Sequence, residues 1–123
     1  MSTALVIEDN MDNMLLISDI LEANGYNVLQ AETGLQGVAM AEEYLPDFII
    51  LDIQLPDIIG NEVLAIIRSK EKIQHIPVVA MTSYAMAGDR ERLLAAGCDG
   101  YVEKPIDPGS VIKQLQEAIE GKI

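Results

Sequence analysis

Phe48-Ile49-Ile50-Leu51-Asp52 is an unbroken apolar run closed by a carboxylate. Unbroken apolar runs of this length, rich in β-branched residues, suit strands buried on both faces, as in a parallel sheet covered by helices on each side. Two further stretches read the same way: Ala4-Leu5-Val6-Ile7, followed by Glu8 and Asp9, and Val78-Val79-Ala80-Met81, followed by Thr82. In open parallel α/β sheets, the C-terminal strand ends converge on one crevice, where ligands bind. The polar residues that close these runs therefore mark a candidate site.

Between the runs lie longer segments with helical ends, so strands and helices alternate. The strands are expected at Ala4–Glu8, Asn27–Ala31, Phe48–Asp52, Pro77–Thr82 and Gly100–Glu103. Val28 and Gln30 alternate with Leu29 and Ala31, which suggests a half-exposed strand at a sheet edge. A first helix starts near Met11 and stops at Asn24-Gly25. Thr33-Gly34-Leu35-Gln36 is a capping box for a second, bounded by Pro46. A third begins near Gly60-Asn61, and a fourth runs from Asp89 to Ala96-Gly97. In the last, Asp107 caps and Pro108 sits at the first helical position. Val111, Ile112, Leu115, Ala118 and Ile119 give it a one-sided apolar face. Five βα units result, in an α/β fold.

A chain of 123 residues is sized for one domain, so residues 1–123 are expected to form a single domain with no output module. Lys and Arg number 8 against 20 Asp and Glu, for a net charge of −12. Such a surface repels phosphate backbones and anionic lipid, which argues against nucleic-acid and membrane binding. No apolar stretch approaches a membrane span. The lone Cys98 cannot form an internal disulfide, and a cytoplasmic location is the expectation.

Asp9 and Asp52 supply hard oxygen donors suited to Mg²⁺. Asp52, after four apolar residues, is expected to be part-buried and could act as a nucleophile towards phosphorus. Lys104 would balance a phosphoryl group's charge, and the Thr82 hydroxyl could donate it a hydrogen bond. Positioning and electrostatics suffice for phosphoryl transfer. Taken singly, each residue has a plainer role: Asp9-Asn10 as a helix cap, Lys104 solvated, Thr82 in a turn. Their recurrence at the same end of successive strands weakens those alternatives. His75 sits in a polar surface stretch, and Cys98 is a small buried filler.

The chain resembles the response-regulator receiver domains of two-component signalling over essentially its full length. The likeness rests on Glu8-Asp9-Asn10, on Leu51-Asp52-Ile53-Gln54-Leu55-Pro56 with Gly60 beyond, on Met81-Thr82, and on Tyr101-Val102-Glu103-Lys104-Pro105. The stretches Asp52–Asp57, His75–Ala80 and Ala85–Asp89 also resemble single-domain receivers typified by the cell-cycle regulator DivK. The resemblance implies a flavodoxin-like five-stranded parallel sheet in order 2-1-3-4-5. It implies Asp52 as phosphoacceptor from a histidine kinase or histidine phosphotransfer protein. Asp9, Asp52 and the Gln54 backbone carbonyl would hold Mg²⁺, with Glu8 acting mostly through water. Thr82 and Tyr101 would form a switch acting on a downstream protein target, Lys104 would pair with the phosphoryl group, and the Lys104–Pro105 bond would be cis. Met86 and Ala85 would border the partner-binding face, and the unphosphorylated protein would be a monomer. Such a protein is no enzyme beyond its own phosphorylation and dephosphorylation.

Departures are small: Ser83 stands where the family often has Ala, and Gln54 is expected to tune the dephosphorylation rate. Four other readings bear on the same residues. An Asp-nucleophile phosphohydrolase commonly needs an acid where Gln54 stands. A flavin carrier would want glycine and hydroxyls where Glu8-Asp9-Asn10 stands. A relay intermediate fits the same residues, whereas an interaction module that has lost phosphorylation finds no support in them, since each matching position holds a competent residue.

Overall fold

The computed structural model describes residues 2–53, 60–82, 89–104 and 106–119. Five strands and five helices alternate along the chain: β1 (Thr3–Ile7), α1 (Met11–Ala23), β2 (Asn27–Ala31), α2 (Gly34–Tyr44), β3 (Phe48–Asp52), α3 (Gly60–Ser69), β4 (Val78–Thr82), α4 (Asp89–Ala95), β5 (Gly100–Glu103) and α5 (Val111–Ile119). The strands form one sheet in the order β2-β1-β3-β4-β5, and every neighbouring pair is parallel.

Side-chain alternation along the strands splits the core into two layers. Leu5, Ile7, Ile49, Leu51, Val78 and Ala80 face one way, onto Val38, Ala41, Val63, Leu64, Ile67 and Leu93 of α2, α3 and α4. Ala4, Val6, Phe48, Ile50, Val79 and Met81 face the other, onto Met14, Ile17 and Leu21 of α1 and Val111, Leu115 and Ile119 of α5. All residues of β3 and β4 are buried, as their unbroken apolar runs require. The edge strand β2 is the half-exposed one expected from its alternation.

Strand ends shift by one residue from the sequence-based bounds. β1 spans Thr3–Ile7 rather than Ala4–Glu8, although the Glu8 amide still donates to the Ala31 carbonyl at 3.0 Å. β4 begins at Val78 rather than Pro77; Pro77 has no amide to give the ladder, yet its carbonyl accepts from the Ile49 amide at 2.9 Å.

Helix ends follow from capping. Asn10 caps α1, its side chain accepting from the Asn13 amide at 3.0 Å, so the cap is Asn10 and the Asp9 carboxylate is left for other work. Gly25, with φ of 88°, ends that helix in the left-handed region. Thr33 Oγ1 accepts from the Gln36 amide at 3.1 Å. The Gln36 side chain reaches one residue beyond the expected capping box, to the Glu32 amide at 2.9 Å. Asp107 closes the turn before α5, accepting at its carboxylate from the Gly109 amide and the Ser110 hydroxyl. Its carbonyl accepts from the Val111 amide, so α5 begins at Val111 and not at the expected Pro108, which lies in the preceding turn.

Candidate functional site

The crevice lies where the topology reverses. From β1 the sheet extends to β2 on one side and to β3 on the other, so the chain leaves the strand ends in opposite directions and opens a gap there. Glu8 and Asp9 follow β1, Asp52 ends β3, Thr82 ends β4, and Lys104 follows β5. Because β1, β3, β4 and β5 are consecutive neighbours, all five residues gather at one pole of the sheet.

Their burial differs sharply. Glu8 is 0% exposed, Asp52 2% and Thr82 3%, while Asp9 faces solvent. The Lys104 ammonium donates to Glu8 Oε1 at 3.0 Å and Oε2 at 3.3 Å, and it lies 3.2 Å from Asp52 Oδ1. One cation thus joins two buried carboxylates, one of them 96 residues away from it in the chain. The Lys104 amide also donates to the Thr82 carbonyl at 2.9 Å, which carries the β4–β5 ladder out to the site.

Burial and the neighbouring Asp52 carboxylate, through both a shared hydrogen bond and repulsion, push the Glu8 carboxyl up to about 7. Hydrogen bonds from Lys104 and Asn13 pull the other way and are outweighed. Asn13, in the first turn of α1, is a site residue that the sequence reading missed. A half-exposed Asn on a helix carries no motif, and only the docking of α1 beside β1 brings its amide to Glu8.

One ligand oxygen from each of Glu8, Asp9 and Asp52 lies within 4.8 Å of the others. Three carboxylates against one ammonium leave negative charge uncompensated, and the donors are all hard oxygens. This set fits a small divalent cation such as Mg²⁺.

Gly60 shows how closely this end of the molecule is packed. Its amide donates to the Ile53 carbonyl at 2.8 Å. A Cβ there would come within 2.9 Å of the Ile53 side chain and 3.1 Å of the Asp52 carbonyl, so only glycine lets α3 start directly behind Asp52.

Tyr101 is half-buried and packs against the α2–α3–α4 layer. It is paired in register with Ala80, two residues before Thr82, so Tyr101 and Thr82 occupy the same face of adjacent strands. A cavity of about 300 Å³ opens beside it, lined by Leu94, Asp99, Tyr101, Gln114, Glu117 and Ala118. His75 is exposed and Cys98 buried, as expected; burial pushes the Cys98 thiol up, away from reactivity. Gln54, Ser83, Tyr84, Ala85, Met86 and Pro105, with the expected cis bond, lie outside the described residues.

Residues 4–116 match the family described as the response regulator receiver domain. The chain belongs to that family. This receiver is 40% identical, over 93% of its own length and 93% of theirs, to proteins named polar-differentiation response regulator DivK from Brucella ovis and Brucella melitensis. Among solved structures, the Vibrio cholerae chemotaxis protein CheY4 superposes with a TM-score of 0.90 at 26% identity, covering 96% of this chain and 98% of that one. The receiver domain of the Pseudomonas aeruginosa sensor histidine kinase PA1611 gives 0.87 at 35% identity, covering 96% and 97%, and was solved with a magnesium ion coordinated in its active-site cleft. The receiver therefore has the fold and the two-component signalling family expected from its motifs. Among the described residues, no helix is long and apolar enough to cross a membrane.

Proposed function

We propose that this receiver takes a phosphoryl group onto Asp52 from the phosphohistidine of a partner kinase or histidine phosphotransfer protein. The observation that carries this reading is the Asp52 carboxylate itself. It is 2% exposed at the end of a fully buried strand, has an ammonium 3.2 Å away, and has two further carboxylates within 4.8 Å. In the transfer, an Asp52 oxygen bonds to phosphorus as the donor's P–N bond breaks. Burial holds the nucleophile in one orientation and limits competing water.

Glu8, Asp9, Asp52 and the Gln54 carbonyl would hold Mg²⁺, which when bound supplies positive charge against the phosphoryl oxygens. Lys104, already between Glu8 and Asp52, exchanges part of its contact with Glu8 for a phosphoryl oxygen. The Thr82 hydroxyl donates to another. Recruitment of Thr82 vacates space on the face it shares with Tyr101, so Tyr101 turns inward and the α4–β5–α5 surface changes shape. The same-face register of Thr82 and Tyr101 supports that coupling.

Intact mass after incubation with acetyl phosphate tests the reading. Wild-type protein with Mg²⁺ gains one phosphoryl group, whereas Asp52→Asn, or wild type in EDTA, gains none. Labelling of Asp52→Asn to the wild-type extent would refute Asp52 as the acceptor.

A further inference from the structure

The two edges of the sheet are built differently. β5, at one edge, is four residues long. Exposed Glu103 ends it, Asp99 precedes it, and Lys104-Pro105 follows in the sequence. Shortness, charge and a nearby proline all discourage an edge from pairing with another chain. β2, at the other edge, has no such protection. Tyr26-Asn27-Val28-Leu29-Gln30-Ala31 contains neither charge nor proline, and its register with β1 runs without a bulge from Asn27 to Ala31.

Bonds to β1 fix which way the β2 backbone points. The Asn27 amide donates to the Ser2 carbonyl at 2.9 Å, and the Ala31 carbonyl accepts from the Glu8 amide at 3.0 Å. Alternate residues of a strand turn their peptide groups to the same side. Asn27, Leu29 and Ala31 therefore bond to β1, while Val28 and Gln30 turn N–H and C=O outward. Among the described residues, no strand pairs with that side.

The flanking helices border this edge with apolar side chains. Gln30 Nε2 donates to Ser18 Oγ at 2.9 Å, which sets Ser18 of α1 over β2. Leu15, exposed and three residues before Ser18, shares that side of the helix. On the other face of the sheet, Glu42 of α2 pairs with Lys70, directly after α3, at 3.3 Å. Met40 and Tyr44 stand on either side of Glu42 in the sequence, about half a turn around the helix from it, and so lie on the β2 side. Met40 packs against the core and Tyr44 is exposed. Acids alone supply the charge here. Residues 1–67 contain no Lys or Arg; exposed Glu32 follows β2, and exposed Glu22 stands one turn beyond Ser18.

We propose that the outer edge of β2 is a docking site for an extended segment of another protein, apolar or β-branched at its centre and flanked by Lys or Arg, which adds to the sheet as a sixth strand. The outward groups of Val28 and Gln30 supply the backbone bonds, and the apolar border takes the segment's alternating side chains. Charge selects the occupant. A second copy would bring the same acids against this edge with no cation to answer them, whereas Lys or Arg on a partner pairs with Glu22 and Glu32. Nucleic acid and anionic lipid meet repulsion and offer no strand backbone.

The test is amide hydrogen exchange of the isotope-labelled protein, read by NMR. The probe is the acetylated, amidated peptide Lys-Lys-Val-Thr-Val-Thr-Lys-Lys. At about 1 mM peptide, the Val28 and Gln30 amides are expected to exchange about tenfold more slowly or better, with Leu29 and Ala31 unchanged. The same peptide N-methylated at each central residue keeps its charge but can no longer lie along a strand edge, and it should give no protection. A version with Glu in place of Lys should bind about tenfold more weakly or worse. Val28→Pro removes an outward N–H and no bond to β1, so it should abolish protection at Gln30 while the urea midpoint stays near that of wild type. Should that variant unfold, the methylated peptide on wild type decides. Equal protection by the methylated or the acidic peptide would overturn the proposal, as would no protection by any of them. Protection that grows with protein concentration in the absence of peptide would place a second copy on this edge and overturn it too.

Discussion

The Lys104 ammonium lies closer to Glu8, at 3.0 Å, than to Asp52, at 3.2 Å. The lysine is therefore shared between two acids, one of which is wholly enclosed. Desolvating a carboxylate is costly unless a counter-charge comes with it, and here one side chain serves both.

Lys104→Met leaves two buried carboxylates facing each other without a cation. In EDTA at pH 7.5 the variant is expected to lose about 2–4 kcal/mol of stability, read as a lower urea midpoint. Added Mg²⁺ should restore part of that loss, and lowering the pH to about 5.5 should restore part as well, since a protonated Glu8 needs no partner.

Stability of the metal-free protein should also depend on Glu8 directly. Its folded value of about 7 lies above the ordinary glutamate value of 4.5, so between these values the folded state holds a proton that the unfolded chain releases. The contribution of this group is fully present below 4.5 and is lost as pH rises to about 7. Urea midpoints in EDTA should thus fall across that interval for wild type, relative to Glu8→Gln, which has no proton to lose there. Parallel profiles for the two proteins would contradict the assignment.

Leu45 ends α2 at φ 49° and ψ 62°, in the left-handed region, and is half-exposed. An L-residue with a bulky side chain pays roughly 1–2 kcal/mol there, whereas Asn and Gly are tolerated. Leu45→Asn should raise stability by about 0.5–1 kcal/mol, a gain of a few degrees in Tm. Calorimetry checks this, with Leu45→Ala as a control that keeps the strain.

Arg68 ties the far pole of the sheet together. Its guanidinium donates to the Gly97 carbonyl at 2.8 and 3.0 Å, to the Gln74 and Ile76 carbonyls, and to Asp99 Oδ2 at 2.9 Å. Asp99 in turn accepts from the Val78 amide at 2.9 Å. Arg68→Met orphans these acceptors and should cost about 3 kcal/mol. Hydrogen exchange should rise first around Gly97 and Val78, while acetyl phosphate labelling at the opposite pole persists.

Thr82→Ala should uncouple Tyr101 from the acceptor. Phosphorylated wild type is expected to show a shifted Tyr101 side-chain NMR signal, and the phosphorylated variant the signal of the unmodified protein. An identical shift in both would remove Thr82 from the switch.

The strands and helices were legible in the chain because backbone physics is local, whereas the strand order came only from the family resemblance. Unbroken runs such as Phe48–Leu51 can be satisfied only by burial on both faces, and Asn10, Thr33, Gly25 and Asp107 announce helix ends through their own side chains or backbone freedom. The acids and Lys104 were legible for the same reason, since each closes or follows a strand. Whether Asp9 was a cap or a free carboxylate was not legible; Asn10 takes the cap. Nor was the partner of Lys104 or the place of Asn13. The sequence by itself determined which residues stand at the strand ends. Tertiary structure decided which of them touch, because burial, a shared ammonium and a Glu8 held near neutrality arise only when β1, β3 and β5 bring Glu8, Asp52 and Lys104 into one low-dielectric space.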